Sequence, residues 1–199
     1  MKILSRIPKS ITFLFWMTVL TGLIYPLAVT VVAQLAFPRK ANGSLIVIGG
    51  TVRGSTLLAQ KVETARYFRA RPSATDYVYL GSGASNLAAT NSALNKASSD
   101  NRSAWIKYLG ETSPGQPVPS EMLYASASGL DPEISLAAAL AEAETVARAR
   151  GFSDTTRDRL IDLVRRSAAS STTLIGVPRV NVEALNEMLE TDPLFRGTR

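Results

Sequence analysis

The sequence predicts an α+β fold in which one N-terminal transmembrane helix precedes a mixed α/β extracytoplasmic domain. Three observations predict it. No charged residue lies between Ser10 and Pro38, turn signals and β-branched runs follow that stretch, and the C-terminal half carries helix-capping signals. We therefore divide the chain into a cytoplasmic N-terminus (1–10), a transmembrane helix (11–37) and an extracytoplasmic domain (38–199).

The uncharged stretch is long enough to cross a bilayer. At about 1.5 Å per residue, a helix over 11–37 is roughly 40 Å long, against about 30 Å of hydrocarbon. A cleaved signal peptide ending near 31–33 and a buried core helix are the alternatives, but the run is too long for the first and lacks the polar face of the second. Lys2, Arg6 and Lys9 precede it and two cations follow it, which places the N-terminus in the cytoplasm and the large domain outside.

The middle of this helix combines residues that shape a helix for packing. Gly22 permits close backbone approach, and Pro26 removes one helical hydrogen bond next to Tyr25. We interpret Gly22, Tyr25 and Pro26 as a packing site for other membrane helices. The alternative is that membrane helices simply tolerate such residues.

Composition excludes several classes of function. The chain has no cysteine and no histidine, which removes disulfides, thiolate sites, the usual general base and the commonest metal ligand. Three of its 22 cationic residues precede position 10, so the outer domain is nearly balanced against its 16 acids. No block of like charge indicates nucleic-acid binding, and we predict no metal site.

The outer domain begins with β structure. A turn at 42–43, a run at 44–48, Gly49-Gly50 and a run at 51–58 predict a β-hairpin. The segment 67–73 is expected to be extended before Pro72, and 81–86 to be a flexible loop.

Helices are expected from residue 91 onward. The first begins at Asn91 and ends at Gly110, and a linker follows over 114–119. The order Asp131-Pro132-Glu133 predicts the start of a second helix, which ends near Gly151. Ser153 opens another helix. After an extended entry over 177–180, Asn181 caps a final helix.

No enzymatic constellation emerges from the sequence. The spacing of a phosphate-binding P-loop is absent, as is the Asp-Lys-Thr-Gly-Thr motif that is phosphorylated in ion pumps. Hydroxyls and a glycine over 126–131 stand beside the expected helix start, where an anion is favoured, although Asp131 is more simply a cap. Arg66, Arg69 and Arg71 suit either a phosphate or carboxylate contact or a solvated basic face. The acid pair Glu142 and Glu144 is interpreted as helix charge patterning.

Six motifs in register resemble the KdpC family of subunits of the bacterial Kdp potassium pump. They occur in the same order as in that family and cover nearly the whole chain: 21–26, 41–46, 67–68 with 71–74, 82–87, 125–131 and 178–182.

The resemblance implies an accessory subunit in the bacterial inner membrane, in contact with lipid. Its partners would be a channel-like potassium-translocating subunit, a phosphorylated P-type ATPase subunit and a small single-helix subunit. Proteins of this family are described as catalytic chaperones that raise the ATP affinity of the pumping subunit. By the same resemblance Ser126, Ser128, Gly129 and Asp131 are candidate nucleotide contacts, since 126–131 has been likened to an ATP-binding-cassette signature.

The sequence departs from the family pattern in the alanine-rich helix. Glu142, Glu144 and Thr145 stand where the family usually has a glutamine and then a Pro-Arg pair. An acid in place of an amide disfavours a nearby phosphate. We therefore expect a non-enzymatic subunit with no tightly bound cofactor and no catalytic residue, with potassium ligands on the partner. The alternatives are a direct nucleotide-binding regulator that forms a ternary complex with ATP and the ATPase subunit, and a membrane-anchored serine-lysine hydrolase.

Overall fold

A computed structural model describes residues 6–110, 117–170 and 176–196. The chain forms two compact units, one that ends at Leu45 and one that begins at Ile46. The mixed helix and strand content confirms the predicted fold class.

The first unit is dominated by one continuous helical segment. Helix α1 (Ile7–Val19), a π-helical turn (Leu20–Ile24) and helix α2 (Tyr25–Ala36) form 30 consecutive helical residues. The segment is long and apolar enough to cross a membrane, and the described part of the chain buries none of its most apolar window. The helix thus starts four residues before the predicted position 11, because Pro8 suits a first helical turn. It ends before Phe37, whose φ of −140° is not helical.

The predicted hairpin is confirmed. After the single turn α3 (Pro38–Ala41), strands β1 (Leu45–Ile48) and β2 (Thr51–Ser55) pair with each other. Gly49 and Gly50 connect them with φ values of 61° and 78°, which only glycine adopts without strain. Strand β2 is shorter than expected, since it ends at Ser55 and not at Leu58.

Helix α4 (Ser92–Leu109) has the predicted bounds. The Asn91 side chain accepts a hydrogen bond from the Ala93 amide, and Gly110 ends the helix with positive φ. Its last turns bury Trp105, Tyr108 and Leu109.

The predicted helix start at Asp131 is wrong. Residues Glu133–Ser135 form strand β3, which pairs antiparallel with β4 (Arg179–Asn181) through the central pair Ile134 and Val180. Helix α5 (Leu136–Arg150) begins only afterwards, with Ser135 as its cap. The buried β-branched pair outweighs the local Asp-Pro-Glu signal, and the Asp131 carboxylate instead accepts a hydrogen bond from the Glu133 amide.

Strands β3 and β4 are two versions of one short pattern. Each strand follows a proline, has a buried β-branched residue in its middle, and ends on a polar residue that caps the next helix. Leu136 donates its amide to Pro178, and Val182 donates to Pro132, so the ladder extends by one bond at each end. The pair therefore fixes the starts of α5 and α7 side by side.

The remaining helices are as expected. Helix α5 ends at Gly151 in the left-handed conformation, and the Ser153 hydroxyl accepts from the Thr156 amide at the start of α6 (Asp154–Ser170). Asn181 caps α7 (Val182–Thr191). Side chains from helices α4 to α7, from strands β3 and β4 and from the segment around Phe68 form one core. Its fully buried large members include Phe68, Ile134, Leu160, Val164, Val180, Leu185 and Leu189.

Candidate functional site

The residues Ser126, Ser128, Gly129 and Asp131 lie in a loop that packs against two other loops. The Ser126 amide donates to the Pro72 carbonyl oxygen, at 3.0 Å. The Ser128 carbonyl accepts from the Gly83 amide at 2.9 Å and from the Ser82 hydroxyl at 2.9 Å. Segments that are distant in sequence therefore meet here.

Gly129 occupies the tightest point of this junction. Its φ is 68°, and a Cβ atom placed on it would lie 2.6 Å from Thr75 Oγ1, 3.0 Å from the Gly83 carbonyl oxygen and 3.1 Å from Ser73 Oγ. Only glycine meets both the conformational and the spatial demand. The glycine of this motif is thus needed for packing.

The polar groups of this loop do not fit a nucleotide phosphate. The amides of Gly129 and Leu130 donate to Ser126 O and Ser128 Oγ, so neither is free for an anion. Asp131 is held by Arg71, with 3.3 Å between Nη1 and Oδ2, and keeps a carboxylate in the loop. The first turn of α5, whose amides would attract an anion, starts only at Leu136. Within the described part of the chain, the buried Ser126 hydroxyl and the Arg71 Nε atom have no hydrogen-bond partner.

Gly22, Tyr25 and Pro26 lie together at the π turn of the long helix, in the other unit. The Tyr25 amide donates to the Leu20 carbonyl, five residues earlier, immediately before the proline that lacks an amide hydrogen. A proline ring clashes with a carbonyl one turn earlier, and a widened turn relieves that clash. Among the described residues, a Cβ placed on Gly22 would meet only Thr18 Cγ2, at 4.0 Å, so this surface is open to a neighbouring helix.

The sequence did not predict a second site, in which side chains of helices make the backbone hydrogen bonds that a neighbouring strand would make in a sheet. Among the described residues, the segment around Phe68 has no strand partner, yet side chains of helices form hydrogen bonds with its backbone. Asn186 accepts from the Phe68 amide at 2.9 Å and donates to its carbonyl at 3.0 Å. Glu142 accepts from the Arg69 amide at 2.8 Å, and Tyr108 Oη lies 3.2 Å from the Tyr67 carbonyl oxygen. The sequence shows an amide at Asn186 and an acid at Glu142 within helical stretches, but no pattern that places either side chain against this segment.

Glu142 is therefore no part of a charge pattern, which corrects the sequence interpretation. It is fully buried, and Tyr108 donates to its Oε2 at 3.0 Å while its Oε1 has no hydrogen-bond partner among the described residues. Burial raises the pKa of Glu142 to about 8, despite the hydrogen bonds from Arg69 and Tyr108 that favour the charged form. Its alanine-rich helix gave no amphipathic signal that could have placed it inside.

Arg150 anchors the other end of the same segment. It donates to the Arg66 carbonyl at 2.7 Å and to Glu190 at 2.7 Å, with its side chain only 2% exposed. Burial alone would raise the pKa of Glu190, but hydrogen bonds from Arg150 and Tyr67 outweigh it and hold that pKa below its usual value. The pair therefore stays ionised.

The three arginines of the segment do not converge on one ligand. Arg66 Nη1 lies 3.5 Å from the Ala149 carbonyl oxygen, Arg71 pairs with Asp131, and the Arg69 guanidinium carbon lies 3.9 Å above the Tyr108 ring centre. The three guanidinium groups therefore do not form one shared phosphate-binding site.

A groove of about 580 Å³ lies between the inner face of the hairpin, residues 60–64 and one face of α7. Its apolar wall includes Ile46 and Ile48, and α7 contributes Glu183, Asn186, Glu187 and Glu190. Burial raises the pKa of Glu183 to about 7, although the Gln60 amide donates to its carboxylate at 2.8 Å. Within the described ranges, no group of three or more acids is arranged to hold a metal ion.

Comparison with known proteins decides the family. Residues 7–191 match the sequence model of the family described as KdpC: K+-transporting ATPase, c chain. The chain belongs to the KdpC family. This confirms the resemblance inferred from the six motifs.

Similar proteins cover almost the whole chain. Three examples follow, each named Potassium-transporting ATPase KdpC subunit. The protein of Pectobacterium atrosepticum is 47% identical over 191 residues, which are 94% of this chain and 97% of that protein. That of Erwinia tasmaniensis is 42% identical over 94% of this chain and 98% of its own length. That of Rhodospirillum rubrum is 46% identical over 87% of this chain and 89% of its own length.

The KdpC match includes both units of the structure. It begins at the first residue of α1 and ends at the last residue of α7. The long helix is thus part of the family's common sequence, and membership in a family of membrane ATPase subunits agrees with its length and apolar surface.

Proposed function

We propose that this chain is a non-catalytic, single-pass subunit that stabilises an ATP-driven potassium import complex. Its helix would pack on the translocating subunits, and its outer domain would stabilise or gate the extracytoplasmic potassium entrance. One observation carries the proposal. The chain provides a 30-residue apolar helix whose most apolar window is not buried by any described residue, in a family of potassium ATPase subunits.

The surface of the helix supports packing by shape. Thr12, Thr21 and Thr30 each donate their hydroxyl to a carbonyl one turn earlier in the same helix, at 2.7–2.9 Å. The hydrogen-bond donors of these hydroxyls are therefore already paired within the helix. Close approach at the open surface of Gly22, beside the π turn, is then the feature that a neighbouring helix would recognise.

The flanking charges support an N-terminus in the cytoplasm and an outer domain beyond the membrane. Lys2, Arg6 and Lys9 precede the helix, and Arg39 and Lys40 follow it. The excess of cations on the N-terminal side favours this orientation.

The packing role is tested by Gly22→Leu, with Ala28→Leu as the matched control. Both changes add bulk to the exposed surface of the same helix, and a side chain at Gly22 meets no close contact within the chain. We expect Gly22→Leu to reduce recovery of the partner subunits when the tagged chain is purified in detergent. Ala28→Leu should leave the ratio of subunits as in the parent.

The abundance of each variant in membranes provides the internal reference for that measurement. Normal abundance with reduced partner recovery supports the packing role. Unchanged recovery with Gly22→Leu, or equal loss in both variants, would contradict it.

We further propose that any influence on the ATP affinity of the pumping subunit is indirect, through the shared complex. The paired amides and the Asp131 carboxylate of the 126–131 loop favour this over direct nucleotide contact. Equilibrium dialysis of the purified full chain against labelled ATP distinguishes direct nucleotide binding from an indirect effect. Saturable binding that Ser126→Ala abolishes would establish the direct alternative, whereas no binding supports the indirect one.

A further inference from the structure

A second, smaller cavity of about 200 Å³ lies beside α4 and is separate from the junction at Gly129. Its wall combines two cations, Lys61 and Arg69, with the polar side chain of Asn101 and the rings of Tyr77 and Trp105. At about 30 Å³ per water molecule, the space equals about seven waters, which suits one small ligand group and no whole nucleotide.

Arg69 is the unusual member of this wall. Its Nε atom is buried without a hydrogen-bond partner, and its guanidinium makes no ion pair or hydrogen bond with any described residue. The guanidinium stacks on the Tyr108 ring, with 3.9 Å from its carbon to the ring centre. By contrast, Arg71 and Arg150 both meet carboxylates, Asp131 and Glu190.

The surroundings of Arg69 leave its charge uncompensated. The acid that interacts with it electrostatically is Glu142, whose burial raises its pKa to about 8, so that carboxyl is mostly protonated at pH 7. Lys61 adds a second cation, although it is shared with Asp76 at 2.8 Å.

We propose that this cavity is a binding site for a small oxyanion of the phosphate or carboxylate class, held by the Arg69 guanidinium. Guanidinium groups bind such anions with charge-assisted hydrogen bonds, and the aromatic rings beside Arg69 exclude water from part of the contact. A free anion and an anionic lipid headgroup carry the same chemistry. The site does not depend on the proposed role of the helix or of the complex.

Trp105 lines the cavity and provides a direct signal. The chain has two tryptophans, and Trp16 lies in the long helix, so Trp16→Phe in the full chain leaves Trp105 as the reporter. The protein is placed in nanodiscs of phosphatidylcholine and titrated with inorganic phosphate or acetate at constant ionic strength. A parallel sample replaces part of the lipid with phosphatidylglycerol.

The decisive variant is Ala104→Glu, with Ala104→Gln as its control. Ala104 lines the cavity from the exposed surface of α4, so glutamate places a competing carboxylate there and glutamine adds similar bulk without charge. We expect a saturable change in Trp105 fluorescence that weakens at least tenfold with Ala104→Glu and persists with Ala104→Gln. Arg69→Met should weaken it to a similar degree, whereas Arg148→Met, at an exposed site, should not.

The arms of the experiment also identify the source of the anion. A response to phosphate or acetate in phosphatidylcholine supports a free anion. A response only with phosphatidylglycerol, still abolished by Ala104→Glu, supports a lipid headgroup. No response in any arm, or equal responses from the two Ala104 variants, would overturn the proposal.

Discussion

The carboxyl group of Glu142 is fully buried and holds a proton at neutral pH. Its folded-state pKa of about 8 lies above the ordinary value of 4.5, because burial disfavours the charged form. The folded protein therefore binds this proton more tightly than the unfolded chain does. The stability that the group contributes is complete below about pH 4.5 and is lost as the pH rises through about 8.

We predict that Glu142→Gln reduces the loss of stability at alkaline pH. Glutamine keeps the hydrogen-bonding shape of the protonated acid but cannot ionise, so the variant should melt above the parent at pH 9 and near it at pH 5. Thermal unfolding of the full chain in detergent, followed by circular dichroism, measures this. The raised pKa of Glu183, about 7, leaves some pH dependence in both proteins.

Glu144→Gln is the control for that comparison, since it removes a 41% exposed carboxylate from the same helix. A parent and a Glu142→Gln variant that lose stability equally between pH 5 and pH 9 would show that Glu142 is not the group responsible.

Gly129 offers a test of the junction between loops. We predict that Gly129→Ala destabilises the unit that begins at Ile46 by about 2 kcal/mol or more, because a left-handed conformation costs an L-residue roughly 1–2 kcal/mol and the new Cβ also lies against backbone and side-chain oxygens. Urea unfolding monitored by tryptophan fluorescence measures the change.

Gly151→Ala separates the two causes. Its φ of 69° matches that of Gly129, but nothing lies within 4 Å of its Cβ position. It should therefore cost only the conformational part, about 1 kcal/mol. Equal losses at the two positions would contradict the close packing described for Gly129.

At the scale of elements, side chains of three helices hold the segment around Phe68 in place of neighbouring strands. We predict that Asn186→Ala costs about 2 kcal/mol or more in unfolding free energy, since it leaves the amide and the carbonyl of a buried residue unpaired. Chemical unfolding of the full chain measures it. Met188→Ala, at a 41% exposed site on the same helix, should cost clearly less, and the reverse order would refute the role of Asn186.

Elements with local signals could be predicted from the sequence, and elements that depend on pairing could not. Caps at Asn91 and Asn181 and the Gly49-Gly50 turn act over a few residues, so they are readable one segment at a time. The start of α5 depends on Ile134 meeting Val180, a contact between distant positions. The parallel between the two proline-led segments was the signal that could have revealed it.

Likewise, one candidate site could be predicted from a local sequence signal and the others could not. The π turn at Gly22 and Pro26 follows from a glycine and a proline close together in a long helix. The burial of Glu142 and the unpaired Arg69 follow from how α4, α5 and α7 surround one extended segment. No single stretch of sequence contains that arrangement.

For the molecule as a whole, we propose that one apolar helix anchors a domain that lies beyond the membrane. The 30-residue helix and the family match support the membrane anchor, and the flanking cations favour a position of the domain outside the cytoplasm. A membrane-impermeant thiol reagent tests the side on which the domain lies, because the chain has no native cysteine that would react.

The most direct measurement uses Ser99→Cys, at an exposed position on α4, in intact cells, with Ser5→Cys before the helix as its counterpart. Our account predicts that the reagent labels the cysteine at position 99 without lysis and labels the one at position 5 only after lysis. Labelling of position 5 in intact cells, with position 99 protected until lysis, would contradict it.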